Sequence, residues 1–195
     1  MTKKEMIWRE IAEKAAKKEQ FEFTQTNLAK KFGFSLSTVF NALKIPRSNG
    51  AIEVRGRGFR IVDLEKFLYI WATQRNLAKE IIYQTHVPKS SLEIEGEMPN
   101  GIVFGAFSAY GKKYNDHPAD YDKVYVYADS SVLPEIKKRF PKSKGYMNLF
   151  VLKSDPALKQ YGQAAPDAQI FVDLWNLKDW YAKDYLNSLK TKMSL

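Results

Sequence analysis

The chain contains no cysteine, which excludes a disulfide framework and any thiolate zinc site. It has only two histidines, His86 and His117, too few to build an imidazole metal centre. No apolar run approaches the length of a membrane span, and the opening residues MTKKEMIWREIAEK hold no signal-peptide hydrophobic stretch. The expectation is a soluble, cytoplasmic protein with no membrane contact. Internal repeats and low-complexity stretches are also missing. What is present is ample core material: 195 residues, 45% hydrophobic and 14% aromatic, enough for one large or two small globular domains.

The net charge is +9, and it is unevenly spread. Residues 1–62 hold 13 Lys and Arg against six Asp and Glu, while the remaining 133 residues hold 18 against 16. A local positive surplus of this kind is the electrostatic footprint of phosphate binding, although it also suits a solubilising surface. The near-neutral C-terminal part offers no second nucleic-acid surface.

Apolar spacing predicts an amphipathic helix over residues 4–18, with Ile7, Ile11 and Ala15 in one stripe. Phe21 and Phe23 alternate in a short strand or extended linker. Thr24 or Thr26 caps a second helix that runs to Phe32, and Gly33 ends it. Ser35 caps a third helix, Leu36–Lys44, which Pro46 stops. Ile52–Arg55 and Phe59–Val62 flank Gly56-Arg57-Gly58, a hairpin signal. Asp63 caps a fourth helix that packs through Leu64, Phe67, Leu68 and Trp71 and joins the two parts without a flexible linker. This order matches a winged helix-turn-helix.

The domain division expected is 1–77, a DNA-binding unit with its connecting helix, and 78–195, a small mixed α/β unit. The fold class is therefore α+β. About four strands are expected in the second unit, within Ala78–Val87, Lys123–Ala128, Asn148–Lys153 and Gln169–Leu174. SSLEIEGEMPNG reads as a loop around a short helix, Val132–Arg139 as a basic helix, and Trp180–Lys192 as a closing helix.

A helix that enters the major groove reads bases with short polar and amide side chains near its N-terminus. On the third helix Ser35, Ser37, Thr38, Asn41 and Lys44 are free for this, and Asn41 suits an adenine edge. Phe40 either belongs to the core or touches a thymine methyl. Lys30, Lys31 and Arg47 flank the helix and suit phosphates. Arg55, Arg57 and Arg60 arm the wing, with Arg57 at the tip, placed for a minor groove or the backbone. The segment TQTNLAKKFGFSLSTVFNALKIP resembles the helix-turn-helix of many prokaryotic regulators through Leu28, Ala29, Gly33, Ser35, Ser37, Thr38 and Val39.

Two readings compete for the C-terminal part. Asp120 and Asp122 precede a strand, Asp173 lies near a later one, and Gly105 and Ser108 come earlier. That order suits a Mg²⁺-dependent nucleotidyltransferase, in which three carboxylates hold the metal. Alternatively Asp120 and Asp122 are solvated loop residues. Asp173 is then a structural hydrogen-bonder that caps the following turn, while Leu174 and Trp175 close the core.

The ending APDAQIFVDLWNLKDWYAKDYLNSLK, through Ala165, Pro166, Gln169, Ile170–Val172, Asp173, Leu174 and Trp175, resembles the AbiEi-type antitoxin family of type IV toxin–antitoxin systems. GAFSAYGKKY is similar to that family's small-residue helix start. The resemblance implies a winged helix followed by a small α/β domain. It also implies a DNA-binding repressor with no catalysis of its own and no cofactor, and a nucleotidyltransferase-type toxin encoded nearby as its counterpart. Because one winged helix reads few base pairs, a homodimer or paired copies on repeated sites are expected. A module that binds only protein is the third alternative.

Overall fold

A computed structural model describes residues 1–195. The chain is α+β, with nine α-helices and two small sheets. Thr2 and Glu5 form a capping box that starts α1 (Lys3–Ala16). β1 (Glu22–Phe23), α2 (Gln25–Phe32), α3 (Leu36–Ser48), β2 (Ile52–Arg55), β3 (Gly58–Ile61) and α4 (Leu64–Gln74) follow. The first sheet has the order β1-β3-β2 and is antiparallel throughout. Asp63 accepts the Lys66 N–H at 2.8 Å and opens α4, as its position suggests.

Helix α3 does not stop before Pro46; it runs on to Ser48 with Pro46 inside it. A proline leaves the carbonyl four residues earlier without its helical donor. Here that carbonyl belongs to Ala42, and the Trp8 indole Nε1–H donates to it at 2.8 Å. A partner from α1 thus replaces the lost bond, and the helix continues.

The remaining elements are β4 (Ile81–Thr85), α5 (Ser91–Gly96), β5 (Val103–Phe104), α6 (Ala106–Tyr114), β6 (Val124–Ala128), α7 (Leu133–Arg139), β7 (Leu149–Lys153), α8 (Asp167–Asn176) and α9 (Ala182–Met193). The second sheet has the order β4-β7-β6-β5, with β6 and β7 parallel. Every residue of β6 is buried, as its interior place between β7 and β5 requires. Residues 77–80 form a 3₁₀ turn, so the strand expected from Ala78 begins only at Ile81.

The strand expected over Gln169–Leu174 is instead part of helix α8. α8 packs against α1 and α4 as well as α6 and α9. Residues 168–174 are therefore buried without a break, and the short apolar run Ile170–Val172 has no periodicity to separate it from a buried strand. The four-strand total survives because Val103–Phe104 takes the vacated place. A single continuous apolar core links Trp8 and Trp71 with Phe107, Tyr127 and Phe171. No helix is long and apolar enough to cross a membrane.

Candidate nucleic-acid interface

Two residues set the angle between α2 and α3. Gly33 takes φ +63° at the end of α2, a left-handed value open to glycine. Ser35 Oγ then accepts the Thr38 N–H at 3.2 Å and starts α3. The same oxygen lies 3.0 Å from Ser37 Oγ and 2.9 Å from Thr38 Oγ1, so three hydroxyls cluster at the helix start. The buried side of α3 carries Val39, Ala42, Leu43 and Pro46. Its solvent side presents Ser37, Asn41, Lys44 and Arg47, and no acidic side chain lies anywhere along it.

The β2–β3 hairpin pairs Arg55 with Gly58 across the two-residue tip Gly56-Arg57. Gly56 has φ +50°, as a tight hairpin turn demands. Gly58 is needed for space: a Cβ there would come within 2.4 Å of the Phe23 carbonyl oxygen. Phe59 stacks on Phe23 at 5.7 Å and seats the hairpin on β1. Between the hairpin and the start of α2 lies a cleft of about 200 Å³, lined by Gln20, Thr24, Asn27, Arg55, Arg57 and Arg60. Gln20 and Asn27 were not legible as candidates, because neither lies on a periodic stripe or at a turn signal.

The expected cations fall into two groups. Lys30, Lys44, Arg47 and Arg57 are exposed and make no ion pair. Lys31 Nζ lies 2.5 Å from Glu10 Oε1, neutralising a carboxylate buried beneath it. Arg55 Nε donates to Glu53 Oε2 at 3.0 Å, whereas Arg60, in register with Glu22 and Glu53 on the flanking strands, is exposed and makes no ion pair with either. The free charge therefore concentrates on α3, on the solvent side of α2 and at the hairpin tip. The C-terminal part has one basic run of its own, Lys137–Lys144. There Arg139 pairs with Glu135 at 2.9 Å and Lys142 donates to the Gln84 carbonyl at 2.7 Å, while Lys138 and Lys144 stay unpaired.

Asp120, Asp122 and Asp173 do not converge. No three carboxylate or imidazole groups lie close enough to share a metal ion. Asp120 is exposed, and Asp122 Oδ1 accepts the Tyr181 hydroxyl at 2.6 Å. Asp173 is fully buried and caps no turn: it accepts Arg75 Nε at 2.7 Å, and the Tyr127 hydroxyl donates to its other oxygen. Burial pushes the Asp173 carboxyl up despite the Arg75 charge. Ser108 is buried in α6 with no hydrogen-bond partner for its hydroxyl. Trp175, expected in the core, is 41% exposed.

Arg75 also reaches Glu5 Oε1 at 3.0 Å and Tyr127 at 2.9 Å. The anionic neighbours hold its guanidinium pKa well above the ordinary value against the effect of burial. Arg9 forks onto Asp155 at 2.6 and 2.7 Å and onto Gln169 at 3.0 Å. Glu13 accepts the Ala168 N–H at 3.1 Å, supplying to α8 the cap that its own Pro166 lacks. Glu5, Arg9 and Glu13 form one stripe of α1, so a buried charged seam joins residues 1–77 to the rest of the chain. Comparison of the chain with family models, curated proteins and solved structures finds no match.

Proposed function

We propose that the chain is a DNA-binding regulator whose residues 1–62 act as a winged helix-turn-helix, with α3 as the recognition helix and the β2–β3 hairpin as the wing. The observation that carries this reading is the distribution of free cations. Lys30, Lys44, Arg47 and Arg57 are exposed and unpaired around an α3 surface that lacks any acid. Asn41 and Ser37 stand on that surface for base edges, and the cations around them suit phosphates. The hairpin-tip Arg57 suits the narrow minor groove beside the site. The mechanism is promoter occupancy in the cytoplasm, by paired copies on repeated sites. The resemblance of the C-terminal segment to AbiEi-type antitoxins supports a repressor role opposite a nucleotidyltransferase-type toxin.

The test is duplex affinity measured against salt concentration. Replacing Arg57 and Lys30 together by alanine should weaken binding to all sequences and reduce the salt slope by about 2, roughly 0.9 per lost phosphate contact. Replacing Lys138 and Lys144 removes the same charge from the other basic run and should leave the slope unchanged. An unchanged affinity in the first variant would refute the assigned surface.

A further inference from the structure

Helix α3 exposes three large apolar side chains, Leu36, Phe40 and Ile45, and the first two stand together near its start. Leu36 is 54% exposed and Phe40 is 45% exposed. They lie four residues apart and so share one stripe, which Lys44 extends by a further turn. Lys44 Nζ sits 5.4 Å from the centre of the Phe40 ring. Phe40, Lys44 and Arg47 form one wall of a groove whose opposite wall is Ile52 and Val54 of the hairpin. Asn41 lies next to Phe40 on the same exposed surface.

We propose that Leu36 and Phe40 read the 5-methyl group of thymine, so that α3 selects A·T pairs through an apolar contact beside the Asn41 amide. The inference rests on the DNA-binding reading above. Its physical basis is the chemistry of the major groove. The edges of the bases there present hydrogen-bond donors and acceptors, and the one methyl group among them is the thymine C5-methyl. A phenyl ring set against a cytosine amino group or a guanine oxygen strips water from it and returns no hydrogen bond. Against a thymine methyl the same ring buries apolar surface on both sides. The Asn41 amide can pair with adenine N7 and N6. An amide and an apolar stripe side by side are therefore complementary to the two halves of an A·T pair. Lys44 and Arg47 flank the stripe with the positive charge that a groove edged by phosphates requires.

Replacing thymine by uracil removes the methyl and keeps the base pairing. Duplexes that the full chain selects from a random pool are resynthesised with uracil at single thymine positions, inside and outside the protected site. At the contacted positions wild type should bind about fourfold more weakly per methyl removed. Phe40→Ala should weaken binding to the thymine duplex and abolish most of that difference, a coupling that a general loss of fold or charge would not produce. Leu36→Ala should do the same at a neighbouring position. Both residues are exposed, and an unchanged far-ultraviolet circular dichroism spectrum checks that the variants stay folded. Equal wild-type binding to thymine and uracil duplexes overturns the proposal while the salt slope still supports DNA binding. Full discrimination retained by both variants overturns it as well. Failure to bind any duplex at low salt overturns the DNA-binding reading itself.

Discussion

A single side chain explains why α3 is longer than its proline suggests. Pro46 cannot supply the N–H that the Ala42 carbonyl needs, and Trp8, 34 residues earlier, supplies it. The cost of an unsatisfied buried carbonyl is about 1–3 kcal/mol. Trp8→Phe should therefore destabilise by about that much beyond its packing loss. The excess should shrink in a Pro46→Ala background, where residue 46 regains a donor; a double-mutant cycle by chemical denaturation measures the coupling. The extension past Pro46 leaves no local signal in the sequence, because the rescuing donor comes from a distant partner. Gly58 is a second site of this kind. Its Cβ-free contact with the Phe23 carbonyl, at 2.4 Å for a built Cβ, is invisible in a Gly-Arg-Gly string. Gly58→Ala should force β1 from β3 and cost on the order of 1–3 kcal/mol in the same assay.

At the scale of the element, α1 carries two glutamates with opposite shifts. Burial opposes ionisation of Glu5, but the Arg75 charge and the Thr2 hydrogen bonds overcome it, and its pKa falls. Burial, with Asp167 nearby, raises that of Glu13. The signs follow from linkage. The stabilisation from Glu5 is fully present above its unfolded pKa and is lost as pH falls through the lowered folded value. The ionisation of Glu13 weakens the fold as pH rises above its unfolded value. Glu5→Gln should lower Tm near neutral pH and flatten the acid limb of Tm against pH. Glu13→Gln, which keeps an acceptor for Ala168, should raise Tm near neutral pH, and that gain should vanish in acid. Equal behaviour of the two variants would refute the assignment. Helix α8 shows where element type was illegible. Contacts on both sides keep Ile170–Leu174 buried throughout, with Asp173 the one charged side chain among apolar ones, whereas α1, α2 and α4, each with a solvent side and a capping residue, were readable from their periods.

Across the whole molecule, the sequence division at residue 77 falls on a joint held by charge. Arg75 meets Asp173 98 residues away, and Arg9 meets Gln169 160 residues away. None of these partners was legible, since separations of that size leave no pattern in a single sequence. The exposed cations were readable because charge surplus and turn chemistry are local. Arg75→Met would leave Glu5 and Asp173 both buried and unpaired, and should cost about 3–5 kcal/mol. With the joint intact, calorimetry should show one cooperative unfolding transition; two separated transitions would contradict a coupled core.

The position of Trp8 has a practical consequence. The molecule has four tryptophans: Trp8 and Trp71 are fully buried, while Trp175 is 41% and Trp180 77% exposed. Replacing Trp175 and Trp180 by phenylalanine removes the emission that water shifts and an aqueous quencher reaches. The remaining fluorescence then comes from two sheltered indoles, one of them hydrogen-bonded to the backbone of α3. The protein thus contains its own optical reporter on the seating of that helix, readable during a titration without any attached dye.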